Sequence, residues 1–365
     1  MEWKKDWDDA KQRLTAWWRG EVLDRVSLAV YAPANESRFI YESTEKLQEA
    51  EAPKTFKERR TSILYRILAT EHKMANIFYG GEAFPCFNTE IGPGDLALFL
   101  GSEPFFHVDT EVVWYQPSIT DPEKSDPLTF DQDNYWWKFH RQLIAEAVKH
   151  SQGRYLVGVP DLIECLDTLA SLRGHTQLIL DLFRRPKWVH ERLREITDLY
   201  FIYFEKIYET IRDEVGGNAF SLYSIWGPGR TTKIQCDFSA RISPAMFKEF
   251  ALPYLQKQCS RLDFTLYHLD GPDALHHLDQ LLKISELSAI QWVPGAGNLP
   301  NQSPHWYPLY RKILRSGKRL WLSIPPDHVR KTIDVLGEKG LFIITRTNSE
   351  KEAHQLLRQI GQSYS

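Results

Sequence analysis

The sequence predicts an α/β protein: a (β/α)8 TIM barrel with an N-terminal helical extension and a large insertion after an early strand. Three observations lead there. From Tyr155 onward, β-rich apolar runs alternate with helix-period segments across short loops, which implies a parallel sheet because parallel neighbours need crossover connections. Seven strands are legible, at Val26, Leu156, Leu222, Leu266, Ile290, Leu320 and Ile343, and an eighth between Asn76 and Phe87 completes the ring. No glycine-rich phosphate loop follows the first strand, which argues against a doubly wound open sheet. The chain reads as a single domain over residues 1–365, with residues 1–24 as the N-terminal helix and residues 34–150 as the insertion and helices near the barrel mouth.

Taken in order, Trp3 to Arg19 is an amphipathic helix stopped by Gly20, and Arg25 to Tyr31 is the first strand. Polar residues from Asn35 through Arg60 and the apolar period from Ile63 to Phe78 predict a helical excursion ended by Gly80-Gly81. Asp95 caps a short helix over Leu96 to Leu100, Phe105 to Tyr115 gives one or two strands, and Asp133 to His150 returns to a helical period. The strand Tyr155 to Val159 ends at Pro160-Asp161, helices follow over Leu162 to Leu172 and Trp188 to Arg212, and Ala219 to Ile225 is the next strand. Ser243-Pro244 opens another helix, and strands recur at Phe264 to Tyr267, Ala289 to Val293, Arg319 to Leu322 and Leu341 to Thr345.

Composition narrows the function classes. A net charge of −3 offers no basic field for nucleic acid, and no apolar run approaches the ~18 residues that span a bilayer. The charged N-terminus lacks the apolar core of a signal peptide, so a cytoplasmic protein is the default expectation. The four cysteines (Cys86, Cys165, Cys236, Cys259) are scattered and are expected as reduced thiols. Of the twelve tryptophans, Trp3, Trp7, Trp17 and Trp18 fall on the first helix as core or interface residues, whereas Trp226 and Trp292 fall near strand ends, where they can line a pocket.

The stretch Tyr267-His268-Leu269-Asp270-Gly271-Pro272 sets a histidine and a carboxylate where a strand ends, the position at which α/β proteins collect their chemistry. His268 is a candidate general acid or base, metal ligand or substrate donor. Asp270, Asp161 and Asp237 are candidate catalytic carboxylates, and His268, Asp270 and Cys236 make a candidate mixed metal site. Trp292, Trp226, Tyr223 and Gln291 are candidate pocket residues, and Arg346 and Arg230 are candidate anion clamps.

The run from Ile242 to Tyr254, followed by the strand ending in His268-x-x-Gly271, resembles the uroporphyrinogen decarboxylase superfamily, which includes cobalamin-dependent methyltransferases. Leu172-Arg173-Gly174, Leu182 to Pro186 with Trp188-Val189, and Ile91 to Gly94 with Leu100-Gly101 are similar to its helical pair and its first excursion; together the matches span Phe84 to the C-terminus. The resemblance implies a (β/α)8 barrel, a corrinoid carried on a partner protein and a zinc ion. Its usual cysteine ligands are missing, because Asp270 stands at the first cysteine position and the last strand ends Thr345-Arg346-Thr347. The arginine-rich motif of the decarboxylases is replaced by Ala32-Pro33-Ala34-Asn35.

The leading expectation is therefore a corrinoid-linked methyltransferase-type activity on a small or ring-containing substrate bound at the C-terminal mouth. A metal-independent hydrolase or lyase using paired carboxylates on a carbohydrate-like ligand is the second. A non-catalytic small-molecule binding barrel is the third. The expected partners are the small-molecule substrate and a corrinoid protein, with no nucleic acid and no membrane; a homodimer is compatible with the tryptophan-rich first helix.

Overall fold

The computed structural model describes residues 1–37 and 53–361. Part of the polar run from Asn35 to Arg60 lies outside these residues; its last stretch is a short helix, Phe56–Thr61, entered through a capping box between Thr55 and Glu58. Among the described residues there are thirteen strands: β1 (Ser27–Pro33), β2 (Ile77–Gly81), β3 (Cys86–Phe87), β4 (Glu103–His107), β5 (Val112–Gln116), β6 (Leu156–Val159), β7 (Asn218–Phe220), β8 (Ile225–Gly227), β9 (Thr231–Gln235), β10 (Phe264–Asp270), β11 (Ala289–Val293), β12 (Arg319–Ser323) and β13 (Leu341–Arg346). No helix among the described residues is long and apolar enough to cross a membrane.

The protein is a mixed α/β structure built on parallel strands. One sheet has the order β2-β1-β13-β12-β11-β10-β9 and is parallel except for β2. A second has the order β3-β6-β7-β8 and is parallel except for β8. β4 and β5 form a separate antiparallel hairpin. The backbone ladders therefore give two sheets where the sequence predicts one closed ring of eight strands.

One side chain bridges the sheets where a ladder does not. Between β7 and β9 the Asn218 amide exchanges two bonds with the Thr231 backbone, its Nδ2 donating to the carbonyl (2.8 Å) while its Oδ1 accepts from the N–H (2.8 Å). That reproduces the paired bonds of a strand ladder with one side chain. Within the first sheet β2 runs antiparallel along β1, and the buried Glu82 carboxylate accepts from the Leu28 N–H (2.6 Å) while Arg25 grips it with two bonds of 2.8 Å.

The predicted strand from Ala219 to Ile225 is corrected by this seam. The chain forms β7, turns through Ser221–Ser224 with Leu222 exposed, and returns as β8; the strand that joins β10 is the unpredicted β9. A polar Thr-Thr-Lys-Ile-Gln segment carries little apolar signal, so its strand character comes from its neighbours.

The first helix (Trp7–Arg19) closes the end of the sheet at which the strands begin. Trp7, Ala10, Leu14, Trp17 and Trp18 are buried on its inner side. Trp17 Nε1 donates to the Gly340 carbonyl (3.0 Å), just before β13, and the Trp18 ring lies 5.2 Å from Phe264, the first residue of β10. The tryptophan excess at the N-terminus is thus largely a plug, and it leaves the C-terminal strand ends for chemistry.

The Asn218 seam carries a stability prediction. Asn218→Ala leaves a buried N–H and a buried carbonyl of Thr231 without partners, at roughly 1–3 kcal/mol each. The urea midpoint is expected to fall accordingly, and an unchanged midpoint would show that the amide bridge is dispensable.

Candidate active site

The parallel register sets Gln235, His268 and Gln291 side by side on β9, β10 and β11. Residues in register share a face of the sheet, so the three make one polar row across neighbouring strands. His268 Nδ1 lies against the Gln291 amide oxygen, and the Tyr223 hydroxyl is 2.9 Å from the same nitrogen with its ring stacked at 5.5 Å. The Gln291 oxygen can only accept, which favours the Nδ1–H tautomer and leaves Nε2 with a free lone pair. The His268 pKa is lowered by burial and by the charge of Lys233, against the pull of Asp270 and Asp161, so the ring is held neutral.

Asp237, which follows β9, and Asp270, at the end of β10, complete the cluster: one ligand-type atom from each of Asp237, His268 and Asp270 lies within 4.8 Å of the others. Asp237 reaches solvent, yet its pKa is pushed up to about 8, first by burial of the carboxyl and then by repulsion from Asp167. Gln235 Nε2 stands between those two acids, 2.9 Å from Asp237 and 3.2 Å from Asp167. Asp167 in turn accepts the N–H groups of Asp237 and Phe238, both at 2.7 Å, which fixes the loop that carries Asp237.

Behind the row sits Lys233, wholly buried, with its ammonium 2.5 Å from Asp161 and bonded to Gln235. Burial opposes its charge, but the fields of Asp161 and Glu164 outweigh that and raise its pKa. Glu164 accepts the Gln235 N–H at 2.6 Å, and burial pushes its own pKa up to about 8. The turn that aims Asp161 and Glu164 is strained: Ile163 (φ 49°) and Cys165 (φ 52°) both adopt the left-handed conformation, which a β-branched residue rarely enters. This turn delays the predicted helix from Leu162 to its observed start at Cys165.

Several predicted residues fall elsewhere. Trp292 is fully buried on the outer face of β11, 5.0 Å from Trp306, because it alternates with the inward Gln291. Trp226 belongs to the N-terminal plug, where its carbonyl accepts from Trp18 (2.9 Å) and its ring meets Trp7. Arg230 precedes β9 at the opposite end of the sheet and pairs with Glu205 at 2.8 Å. Cys236 is buried among Asp167 and Cys165, its thiol pKa raised well above the usual value by burial, and it is absent from the three-residue cluster. Arg346 does stay at a C-terminal strand end, its guanidinium 5.2 Å from the Tyr31 ring centre. Sequence reading missed Lys233, Gln235 and Asp167; a lysine and a glutamine at alternate positions of a five-residue segment were the available signal.

The raised Glu164 acid gives a pH test. The unfolded chain releases this proton near the ordinary value of 4.5, whereas the folded protein holds it to about 8. Its contribution is therefore complete below the lower value and is lost as the pH rises through the higher one, with a slope of up to about 1.4 kcal/mol per pH unit. Urea midpoints of Glu164→Gln are expected to fall less steeply than those of the parent between these two values; parallel profiles would mean that Glu164 is ionised in the fold.

No protein-family model and no curated protein matches the sequence. Among solved structures, the chain is similar to a methyltransferase from Methanosarcina mazei, with 97% of this chain and 98% of that chain covered, a TM-score of 0.61 and 15% identity. At that identity the likeness establishes the fold: this chain has the α/β architecture of that methyltransferase over nearly its full length.

Proposed function

We propose that this chain is an enzyme of the uroporphyrinogen decarboxylase-like superfamily that transfers a methyl group to a small acceptor at the C-terminal strand ends. The observation that carries the reading is the near full-length likeness to a methyltransferase, with Asp237, His268 and Asp270 converging where neighbouring strands end. On this reading the two sheets together form a (β/α)8-type barrel, the Asn218 amide bridging them where the ladder is interrupted.

In the reaction the acceptor's X–H bond breaks, its proton passes to His268 Nε2, and the new X–CH3 bond forms as the donor retains the electron pair of its broken bond to methyl. Tyr223 and Gln291 hold the imidazole, and Asp270 steadies the imidazolium that results. A methylated corrinoid on a partner protein would supply the electrophilic methyl group.

The thiolate zinc site implied by the superfamily resemblance does not fit, since the convergent donors are one imidazole and two carboxylates and Cys236 lies apart. Such oxygen- and nitrogen-rich donors suit a harder divalent cation. No step above passes through a metal.

The test is methyl transfer from methylcobalamin to a panel of acceptors. His268→Ala is expected to lower the rate by roughly 10²–10⁴-fold. A parent enzyme with no turnover above that variant would sink the reading. The close approach of Asp237 and Asp270 also suits a two-carboxylate hydrolase, and release of nitrophenol from nitrophenyl glycosides, abolished by Asp270→Asn, would favour it instead.

A further inference from the structure

Next to the His268 cluster a cavity of about 530 Å³ opens between the β4–β5 hairpin and the loop after β9. Two acids line it, Asp167 and Asp237, the second shared with the cluster. Three aromatic residues are among its lining: Trp114 and Tyr115 from the hairpin, and Phe238 from the loop. Arg241 and His175 line it as well.

These features are unlike an ordinary surface cleft. Trp114 is 60% exposed, a large apolar side chain left open beside a polar floor. The hairpin that presents it is seated firmly: a Cβ on Gly92 would lie 2.6 Å from Val113, so the glycine lets the hairpin rest directly on the Ile91–Gly94 loop. Tyr115 is tied down as well, its hydroxyl donating to the buried Asp95 at 3.3 Å. Among the described residues the Arg241 guanidinium has no ion pair or hydrogen-bond partner. Burial and the Arg241 charge both lower the His175 pKa, which leaves the arginine as the charged member of that pair.

We propose that this cavity binds the acceptor, and that the acceptor is a single-ring aromatic acid: its anionic group on Arg241, its ring along Trp114 and Phe238, and a hydroxyl or amine donor at Asp237. A cavity of this size is in the usual range for small ligands. Arg241 suits a carboxylate because its planar fork can bind both oxygens. The ligand's donor end then lies beside His268, so the inference rests on methyl transfer for the reaction while its binding claim stands alone.

The experiment measures binding to the full chain by calorimetry, with no methyl donor present, using 4-hydroxybenzoate, 4-methylphenol and 4-hydroxycyclohexanecarboxylate. 4-Hydroxybenzoate is expected to bind best. Arg241→Gln should weaken it by about 10-fold or more while leaving 4-methylphenol unchanged. Trp114→Ala should weaken both aromatic probes; both replaced residues are exposed, and circular dichroism checks their folds. Equal binding of the saturated acid, indifference of 4-hydroxybenzoate to Arg241→Gln, or no binding at all would each overturn the proposal. Binding as expected without any methyl transfer would refute the proposed reaction and leave the pocket standing; transfer only to acceptors without a ring would do the reverse.

Discussion

The ammonium of Lys233, enclosed on every side, is the charge around which the acids of this protein are held. Asp161 lies against it, Glu164 feels its field, and Gln235 joins it to the Asp167 and Asp237 pair. A buried cation without such partners would be expelled or neutralised, and the acids without it would repel one another into protonation. The arrangement is therefore mutual: burial raises the pKa values of the acids and the Lys233 charge works against that rise, while the acids in turn hold the Lys233 charge in place. The strained Ile163 to Cys165 turn is tolerated because it places two carboxylates within reach of that ammonium.

Much of the architecture was legible because burial on both faces makes parallel strands apolar throughout. β10, β11, β12 and β13 read directly from Phe264, Ala289, Arg319 and Leu341 onward. β9 was hidden by the same logic, since its polar side chains reflect an interior designed around charge. The His268–Asp270 pair was legible from its place at a strand end, but strand-end position says nothing about which face a side chain occupies. Alternation would have separated Gln291 from Trp292, because only one of two adjacent strand residues can face the interior. Arg230 was misplaced for a related reason: without β9 in view, it could not be assigned to the start of a strand.

The seams show how such a sheet tolerates irregular edges. Asn218 and Glu82 supply with side chains the bonds that a continuous ladder would take from backbone. In each case the substitute is buried and doubly bonded, so the backbone groups it serves are not left bare. The cost is specificity: an amide or carboxylate of that length is required, where a ladder bond would accept almost any residue.

The N-terminal helix docks on segments spread along the whole chain, from Phe84 through Trp226 to Gly340. The Trp17 indole finds its carbonyl partner at Gly340, 323 residues away, and β1 pairs with β13. Trp3 and Trp7 pack on Tyr155, Phe84 and Trp226, whereas Trp17 completes its contacts only with Gly340 and Phe342. Contacts this distant in sequence slow folding and prolong exposure of sticky surface. The first helix therefore ties segments that are far apart in sequence to one end of the sheet.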